Sequence, residues 1–253
     1  MTTIAVLCDP PRDDLVLPEL PATSPLSASE ATTLYTAMLK DVCVAVEASG
    51  GDLLVNYRPE DALPDHGSGA ADGDDAKDEI KAAIAGSLSE PESVRFERQV
   101  GQTFSGRAGN TATHLLEREE ADSVAITTPT APFLFRQLID TAAMKLRRSS
   151  VVLGPAPGGR VYYAGFTETI DFADAYDAPA LETVTDRAID AGNEVDFLDM
   201  NPLLETGSDL LDVVALLRAR QRAGRIIPEH TTTAIEAFGL STDGTDLQRS
   251  DDR

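Results

Sequence analysis

The chain has 253 residues, enough for one large mixed domain whose core needs no disulfide or metal staple. Its 43 Asp and Glu against 21 Lys and Arg leave a net charge of −22, which argues against a duplex nucleic-acid ligand because phosphate contacts need clustered cations. No apolar run reaches the length of a membrane span and no charged-then-apolar leader opens the chain, so a cytoplasmic location is expected.

In chain order, Ile4 to Cys8 reads as a short apolar strand followed by a proline-rich loop to about Leu26. Ser27-Ala28-Ser29-Glu30 has the form of a capping box, and Leu34, Met38, Val42 and Val46 continue at helical spacing until Gly50-Gly51. Leu53 to Tyr57 is a second strand. Residues 59–79 are acidic, small and almost free of large apolar side chains, which predicts a mobile surface loop with His66 solvated on it. A helix over Lys77 to Ala85 precedes a strand at Val94 to Val100, then a helix over Phe104 to Glu119 interrupted by Gly106 and Gly109. Ser123 to Thr127 is a strand, Phe133 to Arg148 a helix, and Ser150 to Gly154 and Tyr162 to Phe166 are strands flanking the loop "PAPGGR". Helices at Pro179 to Ala191, Ser208 to Gly224 and Glu229 to Phe238 complete a single domain over residues 1–240, and the polar tail 241–253 is expected to be loose. Strands alternating with helices imply an α/β fold, a doubly wound and mostly parallel sheet with ligands beyond the carboxyl ends of its strands.

Single residues add exclusions. Cys8 and Cys43 lie inside apolar segments, as thiols packed like small hydrophobes do. His66, His114 and His230 sit in three unrelated settings, so a zinc cluster would need a convergence the sequence does not show. No Gly-x-Ser-x-Gly elbow or Cys/His nucleophile pair occurs. Only four cations are lysines (Lys40, Lys77, Lys81 and Lys145), and with so many acids this composition suits a high-salt cytoplasm. Of the pair Tyr162-Tyr163, one ring is expected to pack inward and the other to face a cleft.

Three strand-ending loops, after Cys8, Thr127 and Gly154, carry a resemblance. Val152-Leu153-Gly154-Pro155 with Gly165, Leu34-Tyr35 with Asp41, and Gln99-x-Gly101 with Arg107 resemble the DUF2064 family of radical-SAM/selenodomain-associated transferases. That family has the GT-A fold of nucleotide-diphospho-sugar transferases, and the resemblance covers residues 4 to 220. It implies a transferase working on a nucleotide-sugar with a divalent Mg²⁺ or Mn²⁺.

Residue by residue, the implied ligands are replaced. Where the family carries Lys-x-Pro-x-x-Gly-x-Val-Lys-Thr-Arg-Leu after the first strand, this chain keeps Pro11, Val16 and Leu20 but has Asp9 and Leu17 at the lysines, Glu19 at the arginine and Asp14 at the glycine. Arg12 is the remaining cation of that loop. Thr130 stands at the metal-binding aspartate of Gly-x-Asp-x-Pro, Gly158 at the acid before the two glycines, and Arg160 at the second glycine. Of a late Asp-x-Asp pattern, Glu205 keeps one carboxylate, with Asp209 in the following helical turn. The expected metal therefore lacks its ligands, since threonine offers no anionic oxygen. Two uses of the fold follow: a divergent transferase, or a non-catalytic binding or scaffold protein with a protein partner. In the transferase reading Arg12, Arg107 and Arg160 hold the anionic group and Glu205 is the carboxylate left for acid/base work; a third reading is a metal-free binder of a small anionic metabolite, with Arg160, Arg12, Arg107 and Thr130 and the Gly158-Gly159 backbone as the binding residues. Arginine suits such planar contacts, although Arg160 could equally be a surface ion pair.

Overall fold

The computed structural model describes residues 1–64, 75–243 and 246–249. Strands β1 (Thr2–Cys8), β2 (Asp52–Tyr57), β3 (Arg95–Arg98), β4 (Ser123–Thr127), β5 (Val151–Ala156), β6 (Arg160–Phe166) and β7 (Val195–Phe197) form one sheet in the order β3-β2-β1-β4-β6-β5-β7. All pair in parallel except β6, which runs antiparallel to both β4 and β5. Strands β4 and β5 are buried along their whole length, as continuous apolar runs covered on both faces must be.

The two faces of β1 show how the layers are built. Ile4, Val6 and Cys8 point into a core shared with α2 (Ala28–Glu47), α3 (Asp75–Ala85) and α5 (Arg136–Lys145). Ala5 and Leu7 point the other way, toward α4 (Phe104–Glu117) and α6 (Ala180–Asp190). A third cluster joins the exposed end of α2 to α1 (Leu20–Thr23), α7 (Gly207–Arg222) and α8 (Glu229–Ala237). This is a doubly wound α/β architecture, mostly parallel, with helices on both sides. Among the described residues no helix is long and apolar enough to cross a membrane.

Several elements differ from the sequence expectation. Around the acidic segment, residues 60–62 form a 3₁₀ turn and α3 begins at Asp75, two residues early; Glu60 and Glu79 are fixed by ion pairs, so these ends of the segment are not a free loop. Its middle, including His66, lies outside the described residues. Helix α4 runs through Gly106 and Gly109 without a break. Strand β7 was not anticipated, and in the tail Leu240–Asp243 (β8) and Asp246–Arg249 (β9) pair as an antiparallel hairpin. Arg249 of that hairpin bonds the Pro25 carbonyl and the Glu30 carboxylate. Both Tyr162 and Tyr163 are buried, and neither ring faces a cleft. Tyr162 donates its hydroxyl to the Asp199 carbonyl at 2.9 Å. Cys8 and Cys43 are free and buried, and burial pushes both thiols up, Cys43 to about 12.

Candidate functional site at the carboxyl edge of the sheet

Strands β1 to β3 end together, and their last residues are stitched by one amide. Gln99 donates its side-chain amide to the carbonyls of Cys8 and Asn56, while its backbone N–H bonds Tyr57. Tyr35 of α2 bonds Asp9 through its hydroxyl, which accepts from the Asp9 N–H at 2.9 Å. These contacts fix the backbone from which the candidate side chains project.

The parallel register pairs Cys8 with Tyr57, so the next residues, Asp9 and Arg58, emerge side by side. They form a fork-to-fork ion pair, with Arg58 Nε 2.8 Å from Asp9 Oδ1 and Nη2 on the other oxygen. Asp9, the acid expected at a lysine position of the resembled family, is neutralised by a cation from the neighbouring strand. The bond to Asp9 holds the Arg58 guanidinium above its usual range despite partial burial.

Arg107 stands one turn into α4, whose first turn is capped by Thr103. Its Nη1 donates to the Gln102 carbonyl at 3.2 Å, its Nε is buried without a partner, and its guanidinium lies 6.0 Å from the Phe104 ring centre. Among the described residues it meets no carboxylate at bonding distance. Burial and repulsion from Arg58 hold its pKa below the usual arginine range, with Asp9 opposing weakly. Arg58 and Arg107 thus lie near one another at the mouth of β1 and β2, where the Asp9 carboxylate is bonded to Arg58 and not to Arg107.

Arg12 is differently placed. Its Nη1 and Nη2 clasp Glu60 at 2.9 and 2.8 Å, and Nε and Nη2 clasp Glu79 at 3.0 and 2.9 Å. Four of a guanidinium's five N–H groups are consumed, which leaves no fork for a ligand. The loop it belongs to keeps a left-handed backbone at Asp14 (φ 61°), where the resembling family has its glycine. Aspartate tolerates that conformation better than most side chains.

On the far side, β5 and β6 are joined by Pro157–Gly159, and Gly158 (φ 76°) and Gly159 (φ 70°) both take the left-handed backbone that glycine allows without strain. Arg160 follows at the start of β6. It donates Nε to the Pro157 carbonyl, Nη1 to Glu205 and Asp209 at 2.9 Å each, and Nη2 to Asp209 at 2.6 Å. Again four of five donors are taken. Asp209 also accepts from the Glu205 and Thr206 N–H groups, closing a capping box with Thr206 at the start of α7. Burial alone would raise Asp209; the bonds and charge of Arg160 outweigh it and set the carboxyl low. Thr130 lies at the edge of this cluster, its hydroxyl 2.9 Å from Thr128 and 3.5 Å from Glu205.

With the geometry in view, known proteins can be compared. No family model and no curated protein matches the sequence. A solved structure from Desulfovibrio desulfuricans G20, provisionally named a nucleotide-diphospho-sugar transferase, superposes with a TM-score of 0.72 at 20% identity over 93% of this chain and 95% of that one. The chain shares that protein's fold. Weaker likenesses are to a 4-diphosphocytidyl-2C-methyl-D-erythritol synthase of Anaerococcus prevotii (TM-score 0.49, 12% identity, 86% and 96% covered) and an rv0371c homologue of Mycobacterium sp. strain JC1 (0.49, 13%, 88% and 98%).

On this nucleotide-diphospho-sugar-transferase-like fold, the anticipated residues fall in three places. Thr130, Arg160 and Glu205 meet around the start of α7, while Gly158 and Gly159 form the turn before Arg160, with Gly159 against Pro179; Arg107 lies with Arg58 by the ends of β1 and β2; Arg12 is tied to the acidic segment. Sequence reasoning missed Arg58 and the double grip of Asp209 on Arg160. The signal for Arg58 was its place immediately after a strand parallel to β1. A divalent metal does not fit the cluster at the start of α7, because Thr130 is neutral and both Glu205 and Asp209 are bonded to the Arg160 guanidinium. Elsewhere, Glu97, His114 and Glu119 offer ligand atoms within 4.8 Å of one another, but Arg95 bonds both acids.

Proposed function

We propose that this chain is a divergent nucleotide-sugar-transferase-like protein that binds a small anionic ligand, of the nucleoside-diphosphate or sugar-phosphate class, without a divalent metal. The observation that carries the reading is Arg107, a half-buried guanidinium with four N–H groups unused, beside Arg58. In a chain of net charge −22, two neighbouring cations, of which only Arg58 is bonded to a carboxylate, form a local inversion of sign. The position agrees with the general placement of ligands beyond the carboxyl ends of a doubly wound sheet. Resemblance of Gln99-x-Gly101 with Arg107 to the DUF2064 pattern adds support, and so does the shared fold. Binding is favoured over phosphoryl chemistry, because Glu205 is bonded to Arg160 and is not presented as a free base.

Thermal-shift measurements with nucleoside diphosphates and inorganic pyrophosphate in EDTA and molar KCl test this. A saturable rise in melting temperature is expected for the wild type and is lost in Arg107→Ala. Indifference to every anion, together with a co-purifying protein, would favour a scaffold instead. A shift that survives in Arg107→Ala would also overturn the reading.

A further inference from the structure

Arg160, at the start of β6, makes the contacts of a counter-ion to two carboxylates. Arg160 bridges Glu205 and Asp209 with three N–H bonds and is anchored by a fourth to its own loop. Asp209 is fixed in turn by two backbone N–H groups and by Thr206. Its side chain is only 11% exposed, against 28% for Arg160 and 45% for Glu205, so the carboxylate most in need of a positive neighbour is the one most completely gripped. The loop is built for this reach: the left-handed pair Gly158-Gly159 turns the chain so that Arg160 enters β6 opposite Ala156. Thr130, on the other side of Glu205, is neutral and weakly placed at 3.5 Å from it.

We infer that Arg160 is a built-in cation that takes the place of a divalent metal between Glu205 and Asp209, making this end of the cleft metal-independent. The contacts follow from charge and geometry. Two carboxylates at the mouth of a helix repel each other unless a positive charge lies between them, and a tethered guanidinium supplies one at any metal concentration. It also supplies direction, since its N–H fork is fixed in a plane. The inference goes beyond the anion site at Arg107 and can fail separately from it.

Mn²⁺ binding, followed by electron paramagnetic resonance and by melting temperature, tests it on the full chain. The wild type and Arg160→Lys are expected to show no saturable Mn²⁺ that depends on Asp209. Arg160→Ala, confirmed folded by circular dichroism, should gain one site, at least about tenfold tighter than any in the wild type, with a melting temperature that rises with Mn²⁺. Adding Asp209→Asn to that variant should remove the gain. A wild-type Mn²⁺ site abolished by Asp209→Asn would overturn the inference, and so would a folded Arg160→Ala that gains none. The wild-type measurement decides even where Arg160→Ala fails to fold.

Discussion

Gly154 shows what one missing side chain does for the packing beneath the β5–β6 loop. A Cβ there would come 2.5 Å from Tyr162 Cζ, and the ring cannot retreat because it is buried and its hydroxyl is bonded to Asp199. Gly154→Ala is therefore expected to cost about 1–3 kcal/mol in urea unfolding; an unchanged midpoint would mean that the ring has room to move. Acid stability belongs to the same scale. Asp209 and Glu30 both have folded pKa values held below the ordinary carboxylate range, Glu30 at about 2 through its bond to Arg249. The unfolded chain then binds protons first, so their contribution is full above pH ~4.5 and is lost as pH falls through the folded values. The drop in melting temperature between pH 6 and pH 3 should be smaller in Asp209→Asn than in the wild type. Identity of these residues was legible in the sequence, but their partnerships were not. Arg12 finds acids 48 and 67 positions away and Arg160 finds them 45 and 49 away, separations that no local pattern encodes.

Elements were read well wherever their signal is local. The capping box at Ser27 and Glu30 is present as its spacing implied, with both reciprocal bonds. Ser27→Ala should lower stability by about 1 kcal/mol in chemical unfolding, and no loss would assign the start of α2 to packing alone. Helix α5 starts at Arg136, later than the apolar run from Phe133, because Ala131 to Leu134 closes as a turn. Strand β7 has three residues and therefore no periodicity to detect. The docking of α7 on α1 was equally invisible: a Cβ on Gly207 would lie 1.7 Å from the Thr23 carbonyl oxygen. Since backbone meets backbone there, Gly207→Ala is expected to cost at least about 2 kcal/mol. It should also disturb the Asp209–Arg160 pair, since Asp209 lies two residues on in the same first turn.

For the whole molecule, alternation of strands and helices was enough to give the doubly wound class, while the reversal of β6 followed from the tight turn at Gly158-Gly159. Total charge makes a separate demand. At −22 the folded chain repels itself, and raising KCl from about 0.1 to 1 M shortens the screening length from about 10 to 3 Å. The melting temperature should climb over that range, and a flat response would show that local ion pairs already balance the surface. Metal independence is what we propose for both arginine clusters. The most direct test is a calorimetric titration of a nucleoside diphosphate into the wild type, first in EDTA and then in excess Mg²⁺. The expected result is saturable binding in EDTA with an affinity that Mg²⁺ changes by less than about tenfold, or about 1.4 kcal/mol. Binding that appears only when Mg²⁺ is added would contradict the account.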